Sequence, residues 1–593
     1  IPTGLNTALY HLEWSPDGSK LLFGDKSFAI HVMDLATRKL TQVDAYHELK
    51  NDEFSWEVSD YTWSPDSQWV AYSVVEPSRN SRVWLYHLPT RRKVAVSHGF
   101  FDCLNPCFDA EGNGLYFLSY SNFETRLDPS QDNHIQPAPV QVMKVQLKAD
   151  DASGPFRIDL EGLQERIRPL PVKPGNLFHL KAGRGFLAWA EAEGWDDSVQ
   201  EEVFTPRGQD KWQLNLYDLA AKKSVVLNDP VADWSFSSEG RQLLVRRKGA
   251  LHVGEAAALF GSKTMPPVLD LDRLSTRVVP REEWKQVFED TWRWYREFFY
   301  DRDMHGRDWQ AIHDKFAAWL PDCNSRNELN WLLSQMVGEL CVSHTYVGGG
   351  HPAPAQTPAP ALYTGHLGAD LVAENGRYRF ARVFGRTPYA PGLKGPLAEA
   401  GTKVKEGEYL LAVDGRAITP PEAVHARLQV VKGQKLRLTV NARPVLEGAR
   451  VVEVEPVAGE GGLRYERWIA DTIAKVEQAS GGQLGYMHIT AMGDQNVGQF
   501  DKYWRAFRYR KGIVVDVRGN GGGWTEYFMI DKLERKQVGF NVLRGMAPFR
   551  YPNTAADGRY VFLTNEQDGS DGEAFLEHVK ARGLGTIVGV PTW

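Results

Sequence analysis

Cysteine is scarce: Cys103, Cys107, Cys323 and Cys341 are the four in 593 residues, too few to staple a chain of this length. Cys103-Leu-Asn-Pro-Cys107 has no second pair to complete a zinc site, so all four read as buried thiols rather than disulfide partners or ligands. No His-Glu-x-x-His or other dense ligand cluster occurs, so no metal and no cofactor is expected. A run of about 18 uninterrupted apolar residues is also missing, which argues against a membrane-spanning helix. Positive charge is not in excess. The net charge of −6 and pI near 6.3 leave no global field for nucleic acid or an anionic membrane surface. Ile1 opens without a basic or apolar leader. A cytoplasmic location is therefore expected, or a periplasmic or secreted one where a signal peptide has been removed.

What is present is glycine (54) and tryptophan (19), a combination suited to turn-rich β structure with aromatic cores. At a loose ~150 residues per domain, the length implies about three to five domains. The first 275 residues repeat. Trp14-Ser-Pro-Asp-Gly18 precedes the apolar run Leu21-Leu-Phe23, and Trp63-Ser-Pro-Asp-Ser67 precedes Trp69-Val-Ala-Tyr72, 49 residues later. A weaker copy, Phe108-Asp-Ala-Glu-Gly112, follows 45 residues after Trp63, and another stands at Phe236-Ser-Ser-Glu-Gly240. Four short strands with turns need ~40–50 residues, the length of one propeller blade. The aromatic before each turn should pack between neighbouring sheets. About five such units fit, with residues 121–175 read as a long insertion. A β-sandwich array is the alternative.

Beyond Pro280 the apolar period changes from two to 3.6. Trp284, Val287, Phe288, Trp292, Tyr295 and Phe299 fall at helical spacings, and Ser325-Arg-Asn-Glu328 is a capping box opening a helix with Leu329, Leu332, Leu333, Met336 and Leu340 on one face. That helix leads into Cys341-Val-Ser-His-Thr-Tyr346, so Ser343 and His344 stand beyond a rigid rod. His351 to Pro360 reads as a linker. Residues 361–455 form a small β-rich module with a Val413-Asp-Gly415 hairpin turn. It resembles a PDZ domain, whose recognition loop holds a peptide C-terminus through backbone N–H groups and whose sheet edge accepts the peptide as a strand. Leu367-Gly368 would be that loop; a small barrel without a ligand is the alternative. From residue 456 the pattern is α/β, with buried strands at Gly485–Ile489, Ile513–Val517 and Tyr560–Thr564.

Two turns follow those strands, at the strand ends where α/β sheets bind ligands. Arg518-Gly-Asn-Gly-Gly-Gly523 leaves backbone N–H groups uncovered before a helix, which suits an anion or a developing oxyanion. It lacks the Lys-Ser/Thr of a P-loop. Asn565-Glu-Gln-Asp-Gly-Ser-Asp-Gly572 places Ser570 like a nucleophile elbow, although Ser570 followed by Glu573 also fits an N-cap. A serine nucleophile needs a base. His344 is the candidate, with a purely structural histidine as its alternative.

Propeller repeats, a helical segment ending in Ser-His, a PDZ-like module, Asp516-Val-Arg-x-Asn-Gly-Gly-Gly523 and Asn565-Glu-x-x-Gly-Ser-Asp-Gly572, in that order, resemble the tricorn protease family of serine peptidases. The resemblance implies a multidomain fold: β-propeller (1–275), helical part of the catalytic core (276–350), PDZ-like domain (361–455) and α/β serine peptidase domain (456–593). It implies a tetrad in which His344 is the base, Ser570 the nucleophile and Ser343 orients the histidine through a downstream Glu that this sequence does not identify. Gly523 and Asp571 would supply oxyanion-hole N–H groups. Six- and seven-bladed propellers that channel peptides, and a homohexamer, are further implications. The chain starts inside the propeller array and stops at Thr592-Trp593, so a first propeller and the segment bearing the tetrad Glu are absent or lie outside it. Where the archaeal members carry an acid that selects basic P1 side chains, the matching position holds Asn541, which argues against a trypsin-like preference. The reading from another class is a catalytically silent propeller and PDZ scaffold that captures peptide partners.

Overall fold

The computed structural model describes residues 3–5, 7–45, 60–128, 133–149, 155–192, 212–227, 229–350, 362–399, 401–556 and 558–592. The expected linker His351 to Pro360 lies outside the described residues. The chain divides into two compact units, one of residues 1–129 and 133–352, the other of residues 130–132 and 353–593.

Among the described residues, the first unit carries five antiparallel sheets of three or four strands. Leu9–Trp14, Lys20–Asp25, Ala29–Asp34 and Leu40–Ala45 form the first, and Tyr61–Trp63, Trp69–Val75, Ser81–His87 and Arg92–Ala95 the second. The repeated Ser-Pro-Asp turn works identically in both. Ser15 and Ser64 donate to Asp17 and Asp66 (2.6 and 2.5 Å) and accept the N–H of the next strand's first residue, Lys20 or Trp69 (2.9 Å each). Consecutive meanders bury their faces against each other, Leu22, Ile30 and Val32 meeting Tyr61, Val70 and Tyr72, as blades do. Trp63 is buried in that seam as expected, but Trp14 is 62% exposed.

Residues 121–175 are not one long insertion. Gln141–Gln146 and Ile167–Pro169 complete the third sheet beside Gly114–Ser119, leaving the hairpin Arg126–Asp128 and Asn133–Ile135 as the excursion. The fifth sheet has three strands and runs into helix α1 (Ala256–Ser262).

Helices α2 (Pro280–Phe298), α3 (Trp309–Ala317) and α4 (Arg326–Gly338) pack around Phe288, Phe316, Leu329, Leu332 and Met336. Ser325 caps α4 by accepting the Glu328 N–H at 3.2 Å. The Glu328 carboxylate reaches back one residue further than a capping box requires, to the Asn324 N–H (2.6 Å). Three cysteines are buried thiols, but Cys341 is exposed.

In the second unit, strands β1 (Ala369–Glu374), β2 (Arg377–Val383), β3 (Tyr409–Val413), β4 (Leu436–Asn441) and β5 (Arg450–Val454) pair antiparallel in that order around Phe380, Leu410 and Leu438. Asp414 and Gly415, with φ of 47° and 76°, make the predicted hairpin turn. Helix α5 (Gly461–Ser480) then leads to β6 (Leu484–His488), helix α6 (Asp494–Phe507), β7 (Gly512–Asp516) and helix α7 (Glu526–Leu533). The hairpin β8 (Gly539–Asn541) and β9 (Phe549–Tyr551), strand β10 (Tyr560–Thr564), helix α8 (Asp571–Arg582) and strand β11 (Gly585–Gly589) complete it. Strands β6, β7, β10 and β11 form a parallel sheet in that order, so β7 and β10 are the covered interior strands their apolar runs imply.

Phe562 on β10 is fully buried with its ring 5.8 Å from Phe575 of α8. Phe562→Ala is expected to destabilise the α/β domain by about 3–5 kcal/mol, the range for a buried Phe truncation. Denaturant unfolding followed by tryptophan fluorescence checks this; an unchanged midpoint would place Phe562 outside the core.

Candidate active site

Strand β7 ends in a carboxylate that sees no water. Asp516 is fully buried and accepts from its near neighbour Arg518 through Nε (2.9 Å) and Nη2 (2.6 Å), and from the Tyr486 hydroxyl (2.7 Å). Burial alone would push the Asp516 carboxyl up, but the Arg518 and Tyr486 bonds outweigh it and hold the acid below its usual range. The pair stands at the carboxyl end of β7, where the glycine-rich turn begins.

Asn520, in the middle of that turn, is completely buried. Its side-chain amide donates to the Ile489 carbonyl (2.9 Å) and accepts from the Gly522 N–H (2.9 Å). Its backbone N–H reaches Asp568 (3.1 Å), and its carbonyl accepts from the Gly569 N–H (3.0 Å). One residue thus fastens the glycine-rich turn to the turn that carries Ser570. Gly522 lies directly under the serine: at φ +84°, a Cβ there would come within 2.5 Å of the Ser570 Cβ. At Gly523, φ +153°, a Cβ would stand 1.9 Å from the Met492 carbonyl oxygen, because Met492 bridges both sides of it through the Gly522 carbonyl and the Trp524 N–H.

Ser570 has φ 55° and ψ −123°, a strained setting for a residue with a side chain. Its N–H donates to Glu573 (3.0 Å) and its carbonyl accepts from the Glu573 N–H (2.9 Å), so the capping pattern read from the sequence coexists with the strained elbow. Asp568 beneath it is 1% exposed and accepts from the Thr564 hydroxyl at 2.5 Å. Among the described residues, no protein acceptor takes the N–H of Gly523 or of Asp571. These are the two groups expected to face an oxyanion.

The Asp571 side chain accepts the Glu526 N–H (3.2 Å), tying α7 to α8. Burial, then the hydrogen bond and charge of the neighbouring Glu526 carboxyl, push Asp571 up to about 7. His578 Nδ1 stands 3.9 Å from Glu526 on the other side.

The structure thus brings Ser570, Asp571 and Gly523 together in the second unit. Ser343 and His344 belong to the first unit. They lie five and six residues beyond the end of α4, not at its terminus, on an exposed stretch held by the bonds of His305 to the Leu340 carbonyl (3.1 Å) and of Asn330 to that of Gly349 (3.0 Å). His344 adopts φ 60°. Asn541 is exposed at the end of β8, opposite Phe549. Leu367 is buried, and the Gly368 N–H donates to the Glu460 carboxylate at 3.0 Å. Sequence reasoning missed Asn520 and Asp568; an Asn within a glycine run and an Asp just ahead of Gly-Ser are the available signals.

Comparison with known proteins matches the chain to four family models: the Tricorn protease second beta propeller domain (residues 4–257), the Tricorn protease C1 domain (280–338), the Tricorn protease PDZ domain (365–459) and Peptidase family S41 (483–593). Tricorn protease homolog 1 of Streptomyces coelicolor is 31% identical over 98% of this chain and 56% of its own length. The Tricorn protease of Thermoplasma volcanium is 25% identical over 99% of this chain and 57% of its own. A crystal structure of the tricorn protease superposes with a TM-score of 0.84 at 21% identity, covering 99% of this chain and 57% of that one. The chain spans about half the length of these relatives.

Because the folded state holds the Asp571 proton to about pH 7 while an unfolded Asp releases it near ~4, the native protein binds more protons across that window, and stability falls as pH rises through it. Asp571→Asn cannot ionise. It should match the parent near pH 4 and melt higher than the parent near pH 8. A melting difference that is the same at both ends would show that Asp571 ionises as an ordinary carboxylate.

Proposed function

The chain belongs to the tricorn protease family, and from that premise we propose that it is a serine peptidase acting on peptides and oligopeptides. The observation that supports this reading most is the Ser570 turn: a strained serine seated over Gly522, with the Gly523 and Asp571 N–H groups without protein acceptors among the described residues. Ser570 Oγ attacks the scissile carbonyl while His344 takes its proton, and Ser343 helps to orient the imidazole. The Gly523 and Asp571 N–H groups receive the oxyanion of the tetrahedral intermediate. Collapse expels the amine with the proton returned from His344, and water repeats the sequence on the acyl-enzyme. Donors fixed before reaction stabilise charge without reorganising at the moment it forms. Propeller and PDZ modules favour peptides over folded proteins as substrates. A homohexamer and a cytoplasmic setting are proposed on family grounds alone.

Ser570→Ala should lower peptide hydrolysis by ~10⁴–10⁶ in kcat with the melting curve preserved, and a fluorophosphonate probe should label the parent once per chain and this variant not at all. Labelling of Ser570→Ala at the parental rate would move the nucleophile elsewhere and revive the silent-scaffold reading.

Specificity follows from Asn541. A buried carboxylate facing a P1 Arg or Lys is worth ~2–5 kcal/mol, and an amide forfeits it. Of the acids Glu526, Asp531 and Glu534 on and just after α7, Glu526 is engaged with Asp571 and Glu534 with Arg582 (2.6 Å). Neutral or apolar P1 residues should be cleaved at least as fast as basic ones in a fluorogenic peptide library. A strong preference for Arg or Lys would mean that another carboxylate serves the pocket.

A further inference from the structure

The PDZ-like module has a recognition loop and an open edge, and the chain itself fills the first. Strand β1 is the outermost strand of its sheet, paired with β2 on one side. The loop just before it, Leu367-Gly368, is where such a module presents backbone N–H groups to a peptide's terminal carboxylate. Here the Gly368 N–H donates to Glu460 Oε2 at 3.0 Å, and the Glu460 side chain is 12% exposed.

Glu460 is held there from several directions. Its other oxygen, Oε1, accepts from Arg464 Nε (2.9 Å) and Nη2 (2.6 Å), two charge-assisted bonds from one guanidinium to a single oxygen. Arg464 Nη1 reaches Asp370 on β1 (2.7 Å), so one guanidinium bridges the carboxylate to the edge strand. His366 Nδ1 lies 3.7 Å from Glu460 Oε1. The segment leading into Glu460 is stitched to the loop as well: His366 and Val457 exchange two backbone hydrogen bonds of 2.8 and 3.0 Å. One turn into α5, Leu463 lies close enough that a Cβ on Gly368 would meet its methyl at 3.2 Å.

A carboxylate accepting a loop N–H, backed by a cation and flanked by an apolar side chain, is the arrangement a bound peptide C-terminus would present. The chain supplies it from the junction between the PDZ-like module and the peptidase domain. We propose that Glu460 is an internal ligand of the PDZ-like module, filling its carboxylate loop so that a free peptide C-terminus binds only by displacing it. This makes the module a clamp on the first turn of α5. Competition by peptides with a free, apolar C-terminus then becomes a means of loosening that turn.

The test uses the full chain carrying Ser570→Ala, which keeps the probe uncut and makes the result independent of the peptidase reading. A fluorescein-labelled decapeptide ending in leucine, with a free C-terminal carboxylate, is titrated by fluorescence anisotropy beside the same peptide bearing a C-terminal amide. Glu460→Ala should bind the free-acid peptide about tenfold or more tightly than the Glu460 protein, with no gain for the amide. Glu460→Gln, which preserves size, should shift the free-acid peptide in the same direction and covers the case in which the alanine variant does not fold. Equal affinities with and without Glu460, or equal gains for acid and amide, would overturn the proposal.

Discussion

Everything in the peptidase domain that bears on chemistry hangs on one buried amide. Asn520 is sealed from water, so each of its four hydrogen-bonding groups must find a partner inside the protein, and each does: Ile489, Gly522, Asp568 and Gly569. An unmet polar group there would cost about 1–3 kcal/mol, so the four bonds stand or fall together. Their common effect is to fix one turn against the other. The glycine-rich turn follows β7 and the serine turn follows β10, adjacent strands of one parallel sheet, so sheet register sets the coarse spacing and Asn520 the fine one.

That constraint explains why glycine occupies Gly522 and Gly523. A Cβ at the first would meet Ser570 and at the second the Met492 carbonyl, so a larger residue would displace the serine at Gly522 and the Met492 backbone at Gly523. The strain at Ser570 has the same origin. A residue with φ 55° persists only where surroundings over-determine it, and the Glu573 bonds on one side and Asn520 on the other do so.

Much of this was legible in the chain. Blade spacing, the switch to a helical period at Pro280 and the apolar runs of β7 and β10 are repetitive signals, and each points to the element that forms. The failures were individual. Trp14 carries the same motif as Trp63 yet is exposed, because a periodic pattern reports the turn and not which neighbour covers its aromatic. The outer two strands of the third blade fall within the segment read as an insertion, because the hairpin beginning at Arg126 separates them from its inner strands and breaks the period. Asn520, Asp568 and Glu460 act through partners 31 to 92 residues away, and no local pattern encodes such pairings.

The serine turn also poses an electrostatic problem that its bonding resolves. Asp568, Asp571 and Glu573 crowd the place where an oxyanion would form, and three free negative charges there would oppose it. None is free. Asp568 spends its charge on the Thr564 hydroxyl and the Asn565 and Asn520 N–H groups, and Glu573 spends its own on the Ser570 N–H at the start of α8, where the helix dipole favours an anion. Asp571 lends its N–H to the site but keeps its proton to about pH 7, because burial and the neighbouring Glu526 carboxyl both disfavour its charge. The residue whose backbone must attract negative charge is thus an acid whose own ionisation is pushed up to about 7.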